Sequence, residues 1–150
     1  MKTHLSTTGD GFELNSPDAK ITVKVDAAHT DGAYELFEVD AQRGPTMPPH
    51  REPWAKTYYV LHGRMAVLVD GEVYDLGPGS SLAIPAGALN TFTVHTPSVQ
   101  FLAISLTDAL GRFFHDVDQA VPAGTPLEEA AERLPDLAAR HGVTLGEWPS

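Results

Sequence analysis

The sequence predicts an all-β domain, a small antiparallel barrel or sandwich, with short helices after it. Three observations carry this reading. Short runs in the first hundred residues alternate apolar and polar side chains with a period of two. The 13 glycines and 12 prolines fall largely between those runs, and Asp-Gly pairs flanked by β-branched residues mark hairpins. Beyond residue 106 the apolar period changes to that of a helix.

The elements follow in order. Lys20–Asp26 alternates Ile21, Val23 and Val25 with polar neighbours, as a half-buried strand does. Asp31-Gly32 is a turn signal before a second strand, Ala33–Ala41. Thr57–Leu61, Met65–Val69, Glu72–Leu76, Ser81–Ile84, Thr91–His95 and Val99–Leu106 complete a set of eight. His62-Gly63, Asp70-Gly71 and Gly77-Pro78-Gly79 interrupt them, and eight short strands at this spacing suit a sandwich or barrel. Thr107 is placed to cap a helix in which Leu110, Phe113, Phe114 and Val117 share one face. After the linker Val121–Thr125, a second helical pattern runs over Pro126–His141, with Thr125 able to cap it, Pro126 suited to its first position and Gly142 to its C-terminal stop. Pro135 lies inside that pattern and is expected to split it into two short helices. The predicted division is a β-barrel over 1–106 and a helical extension over 107–150 packing on it.

Composition narrows the function classes. A chain of 150 residues fits one domain and buries roughly 70% of its unfolded surface, enough for a core without staples. No cysteine is present, which excludes a disulfide scaffold, a thiolate metal site and a cysteine nucleophile. Ten Lys+Arg against 20 Asp+Glu give a formal charge of −10, which argues against nucleic acid and anionic membranes as partners. No apolar run approaches the ~20 residues of a membrane span, and the first residues lack the apolar stretch of a signal peptide. The expectation is a soluble cytoplasmic domain whose acidity is mainly a surface property.

Two motifs stand in the middle of the chain. Gly44, Pro48-Pro49-His50, Glu52, Lys56 and Val60-Leu61-x-Gly63 keep the frame G-x5-H-x-H-x3,4-E-x6-G. Gly79, Pro85, Gly87 and Asn90 keep the frame G-x5-P-x-G-x2-H-x3-N up to its histidine position. On these motifs (44–63 and 79–92) the chain resembles the cupin superfamily, over about residues 20–106. With its helical tail it is similar to small single-domain cupins of the quercetin-dioxygenase-like kind. The resemblance implies a jelly-roll, or double-stranded β-helix, barrel with a ligand-sized cavity at its mouth. It also implies a homodimer formed through sheet faces and N-terminal strands.

The resemblance further implies a divalent metal held by three histidines and a glutamate. The matching positions here are His50, Glu52, Lys56 and Asn90. Only His50 keeps the ligand type, Asn90 is a weak oxygen donor, and a Lys56 ammonium has no lone pair and repels a dication. The expectation is therefore no metal and no cofactor. Glu52 and Lys56 are expected to pair if both are buried, with His50 and Asn90 as hydrogen-bond partners. Two readings follow: a vestigial site plugged by an ion pair, or a metal-free acid–base site in which His50, Glu52, Lys56 and Asn90 are catalytic. A lysine among apolar walls is also a candidate for a lowered pKa and an amine nucleophile.

Other positions are assigned by parity and frame. Tyr58, Val60 and Phe92 have the parity of the cavity face, and Trp54 falls near the barrel mouth, where it would stack on a planar ligand or anchor a dimer. These four are the candidate substrate contacts, with ordinary barrel core as their alternative. His62 is expected in an exposed turn and His95 on the opposite strand face from Asn90. His115 falls on the first helix, His141 at a helix C-terminus, and His4 and His29 in loops. The function expected is a metal-independent acid–base enzyme, an isomerase, cyclase or lyase. Its substrate would be a small carbonyl-bearing metabolite, polyketide-like by analogy with cupin cyclases of natural-product pathways. The alternatives are a metal-dependent quercetinase-like dioxygenase and a non-catalytic cupin that binds a small molecule in its cavity.

Overall fold

A computed structural model describes residues 2–146. Eleven strands form two antiparallel sheets: β1 (Phe12–Ser16), β2 (Ala19–Val25), β3 (Tyr34–Gln42), β4 (His50–Arg51), β5 (Lys56–His62), β6 (Met65–Val69), β7 (Glu72–Leu76), β8 (Ser81–Ile84), β9 (Asn90–Val94), β10 (Ser98–Leu106) and β11 (Thr144–Leu145). One sheet has the order β1-β2-β3-β10-β5-β8, and the other β11-β4-β9-β6-β7. Helices α1 (Ala109–Ala120) and α2 (Leu127–Arg140) follow the tenth strand. This is an all-β jelly-roll barrel with short C-terminal helices.

The period-two runs explain the core. β3 and β10 pair along nine residues, from Ser98↔Gln42 to Leu106↔Tyr34, and every second side chain of each points inward. Phe37, Val39, Phe101 and Ala103 meet Val60, Met65, Val67 and Ile84 there, all nearly or wholly buried. Asp70 and Gly71, with φ of 48° and 85°, make the two-residue turn between β6 and β7, where a twist-matched hairpin needs left-handed backbone. Leu89 N–H donates to the Asp70 carboxylate at 2.9 Å and fastens that turn to the approach of β9.

Three strands and a 3₁₀ turn (Ala27–Thr30) escape the sequence reading. β1 buries only Leu14, while β4 and β11 have two residues each, too few for any period to show. β11 pairs with β4, Thr144 opposite Arg51 and Leu145 opposite His50, so the C-terminal extension includes a sheet strand beside the helices. The last four residues of that extension lie outside the described residues.

The helix ends also differ from expectation. Asp108 precedes the first residue of α1 and makes no side-chain cap bond, while Thr107, one position earlier with φ 67°, accepts from Ala109 N–H at 3.4 Å and so serves the first-turn donor expected of it. Pro126 caps α2 with extended backbone in place of Thr125, and α2 is continuous through Pro135. The proline does not break it because Ala131 and Pro135 are both exposed, where water can replace the lost hydrogen bond, while Ala130, Leu137 and Ala138 pack inward. At the far end Gly142 takes φ 74°, donating to Ala139, and Val143 N–H donates to Ala138 at 2.9 Å. This double bond is the usual left-handed helix stop, and it turns the chain into β11.

Candidate active site in the barrel cavity

The polar centre gathers residues from both sheets. β4 and β9 bring His50 and Asn90 opposite each other as a register pair. β5, in the other sheet, brings Lys56 and Tyr58. Residues 52–55 cross between the sheets, and Pro53 prevents the crossing from continuing either ladder. Glu52 sits on this crossing and is the hub. Its Oε1 accepts from Lys56 Nζ at 2.5 Å, lies 3.2 Å from His50 Nε2, and accepts from Asn90 Nδ2 at 3.3 Å. Its Oε2 accepts from Trp54 Nε1 at 2.8 Å. Glu52 is 4% exposed and Lys56 7%, so both charges are desolvated and must compensate each other.

The electrostatics follow from this packing. Burial works against the Glu52 carboxylate, but the Lys56 ammonium and His50 overcome it and hold its pKa well below the carboxylate range. Burial likewise pulls Lys56 down, and the oxygens of Tyr58 and Glu52 push it above its ordinary value. Lys56 is therefore an ammonium, and the expectation of a lowered pKa and an amine nucleophile is overturned. Burial raises the Tyr58 phenol, whose ring lies 5.2 Å from Lys56 Nζ.

Above this floor lies a cavity of about 310 Å³. Tyr58, Phe92 and Phe101 from the strands and Phe113 and Phe114 from α1 give it aromatic walls, and Leu134, Pro135 and Ala138 of α2 roof it. His50, Glu52, Lys56 and Thr91 are polar groups on its lining. His50 is the polar-cluster member open to it, with a side chain 25% exposed.

Residues 37–104 match the cupin domain family model. Over that stretch the barrel resembles a cupin domain. A quercetin 2,3-dioxygenase from Bacillus subtilis is 23% identical over 108 residues, 71% of this chain and 32% of that protein, so the chain spans about a third of that relative's length. Among solved structures, the polyketide cyclase RemF from Streptomyces resistomycificus aligns with a TM-score of 0.60 at 23% identity, covering 71% of this chain and 80% of the other. KdgF from Halomonas sp. aligns with a TM-score of 0.61 at 17% identity, covering 70% and 94%. At these identities the likeness is one of fold.

A cupin metal would fall among His50, Glu52, Lys56 and Asn90, and these residues do not suit it. The Lys56 ammonium occupies the coordinating oxygen of Glu52, and Asn90 turns its amide nitrogen toward Glu52, His50 O and Ala88 O. Among the described residues no group of three or more His, Asp or Glu side chains is arranged to hold a metal ion.

Not every candidate residue reaches the cavity. Tyr58 and Phe92 line it, but Val60 does not, because at 0% exposure it is packed within the barrel core. Trp54 is not on the lining either: it is 8% exposed, donates to Glu52 and packs its ring 5.8 Å from Phe113. Asn90 sits behind Glu52 and off the lining. Leu110, Phe113, Phe114 and Val117 were legible only as a helix packing stripe, and they prove to be cavity wall. His62 and His95 are exposed, the latter 3.7 Å from Asp75. His141 meets Asp116 of α1 at 2.6 Å and so ties the two helices together. His4 and His29 stack at 3.6 Å near the start of the chain.

Proposed function

We propose that this cupin is a metal-independent acid–base enzyme that moves a proton on a small carbonyl-bearing metabolite, in the manner of an isomerase, cyclase or lyase. The observation that carries this reading is the buried Glu52–Lys56 pair beneath an apolar cavity, with His50 as its cavity-facing neighbour. His50 donates Nε2–H to Glu52, which leaves Nδ1, with only a 3.4 Å contact to the Pro48 carbonyl, to take a proton from the carbon beside the substrate carbonyl. The imidazolium that forms keeps its Nε2–H on the Glu52 carboxylate, which stabilises it. Electrons from the broken C–H bond pass to the carbonyl oxygen, where the Lys56 ammonium offsets the developing charge. The proton then returns to another carbon, or the enolate carbon attacks a second carbonyl and closes a ring, and the alkoxide this leaves takes the proton back from His50. Trp54 and Asn90 are positioning residues that hold Glu52.

The cyclase option draws on the polyketide cyclase among the fold neighbours, and the metal-dependent dioxygenase reading is set aside because of the Lys56 ammonium on Glu52. Turnover of a panel of cyclisable β-polyketones by wild type, His50→Ala and Lys56→Met tests the proposal. A loss of tenfold or more in kcat for both variants, with folding intact by circular dichroism, is expected; full activity in both sinks it. A compound that binds and is released unchanged would favour the binding-only reading.

We also propose a homodimer through the outer face of the larger sheet, where Tyr59, Ile104 and Leu106 are 41%, 39% and 68% exposed on adjacent strands. Such a row of apolar side chains on an antiparallel face is costly to leave in water.

A further inference from the structure

We propose that the cavity selects uncharged, flat aromatic molecules of about two fused rings and discriminates against both anions and cations. This deepens the reading of the cavity as the substrate site and rests on it. The walls supply the shape: five aromatic rings, with Tyr58 and Phe92 tilted 55° and 76° against Phe101, surround a volume near the small end of ligand pockets.

The charge selection comes from what is already paired. The charged side chains on the lining are Asp18, Glu52 and Lys56, with His50 beside them. Among the described residues Lys56 is the only lysine or arginine there, and its ammonium is held at 2.5 Å by Glu52. Glu52 in turn is saturated by Lys56, Trp54, Asn90 and His50. Asp18, half-buried in the turn between β1 and β2, accepts from the Ser16 hydroxyl at 2.8 Å. A carboxylate entering this space gives up its hydration for an ammonium whose full charge Glu52 already neutralises, and Asp18 repels it. A cation is drawn by Asp18 but repelled by the Lys56 ammonium on the floor, and with the Glu52 carboxylate already saturated that single attraction does not offset its lost hydration. A neutral phenol needs one acceptor for its hydroxyl, and the unprotonated His50 Nδ1, 3.4 Å from the Pro48 carbonyl oxygen, can accept it.

Isothermal titration at pH 7 with three probes of one shape tests this: 2-naphthol, 2-naphthoate and 2-naphthylmethylammonium. The expected result is a Kd for naphthol at least fivefold below that of either ion. A smaller ratio, or no naphthol binding at 1 mM, overturns the proposal. Intermolecular NOEs from naphthol to the rings of Phe101, Phe113 or Phe114 are expected, and NOEs only to residues outside the cavity also overturn it. Glu52→Gln leaves the Lys56 ammonium unpaired and is expected to shift the naphthol-to-naphthoate preference at least fivefold toward naphthoate; an unchanged preference denies the pair its role. If that variant does not fold, the three-probe comparison on the unaltered protein still decides. Naphthol has no carbonyl to enolise, so its binding is independent of turnover: loss of the selectivity and failure of the His50 test are separate outcomes.

Discussion

Glu52 and Lys56 lie four residues apart in the chain yet belong to different parts of the barrel, the carboxylate on the inter-sheet crossing and the ammonium at the start of β5, with 2.5 Å between Oε1 and Nζ. Each is the other's main compensation for burial. Removing one partner leaves an uncompensated buried charge. Glu52→Gln or Lys56→Met alone is therefore expected to cost about 3–5 kcal/mol in urea unfolding, and the double change Glu52→Leu with Lys56→Met less than either single change. Additive losses in the double variant would contradict this.

A second buried carboxylate predicts a pH dependence of opposite sign. Glu35 is 3% exposed under the first turn of α1, where Gly111 N–H donates to its Oε2 at 2.9 Å. Burial raises its pKa to about 7, with Asp26 and Asp108 adding to the rise and the Gly111 bond and Arg112 opposing it. A carboxyl whose pKa is higher folded than unfolded stabilises the fold below the unfolded value, near 4.5, and that contribution is lost as pH rises through 7. The stability of the wild type is expected to fall by on the order of 1–2 kcal/mol from this group between pH 5 and 8. Glu35→Gln should flatten that slope in urea titrations at several pH values. Glu52 acts the other way: its lowered pKa adds stability at neutral pH that is lost in acid.

Pro135 predicts a gain. It interrupts the hydrogen-bond ladder of α2 at an exposed position, and its cost is carried by the packing of Leu137 and Ala138. Pro135→Ala is expected to raise stability by about 1–3 kcal/mol, visible as a higher Tm. An unchanged or lower Tm would mean that the helix is not strained there.

The outer sheet face predicts an oligomeric state. Ile104→Glu, at a position 39% exposed, is expected to convert a dimer to a monomer in light scattering without lowering the Tm of the monomeric fold by more than a few degrees. A wild type that is monomeric at 100 µM would end the dimer proposal.

Local pattern carried much of the architecture. Alternation and the flanking turn residues marked β6, β7 and β8 to the residue and the other five predicted strands to within a residue, because one buried face imposes a period of two on most of them and Asp70-Gly71 and Gly77-Pro78-Gly79 bound the exposed β7. The Asp70-Gly71 hairpin and the Gly142 stop were legible because few residues tolerate left-handed backbone. The motif frame also placed His50, Glu52, Lys56 and Asn90 together, and two opposite charges in a buried frame implied their pairing before any contact was seen.

Other features depend on contacts between segments far apart in sequence. β4 and β11 are strands only because each pairs with the other, and no two-residue run has a period to read. The same apolar stripe on α1 serves a helix packed on a core or one that walls a cavity, and only its docking over the barrel mouth separates the two. Trp54 has an apolar ring and a single donor. Whether the ring meets a ligand or the donor meets Glu52 depends on how the crossing at Pro53 turns the side chain. The direction of the Lys56 shift was equally open, since burial and a carboxylate neighbour act oppositely on an ammonium. Residue types and spacing bound which groups can meet. The balance between desolvation and pairing depends on distances of a few ångströms, and these exist only once the two sheets have closed.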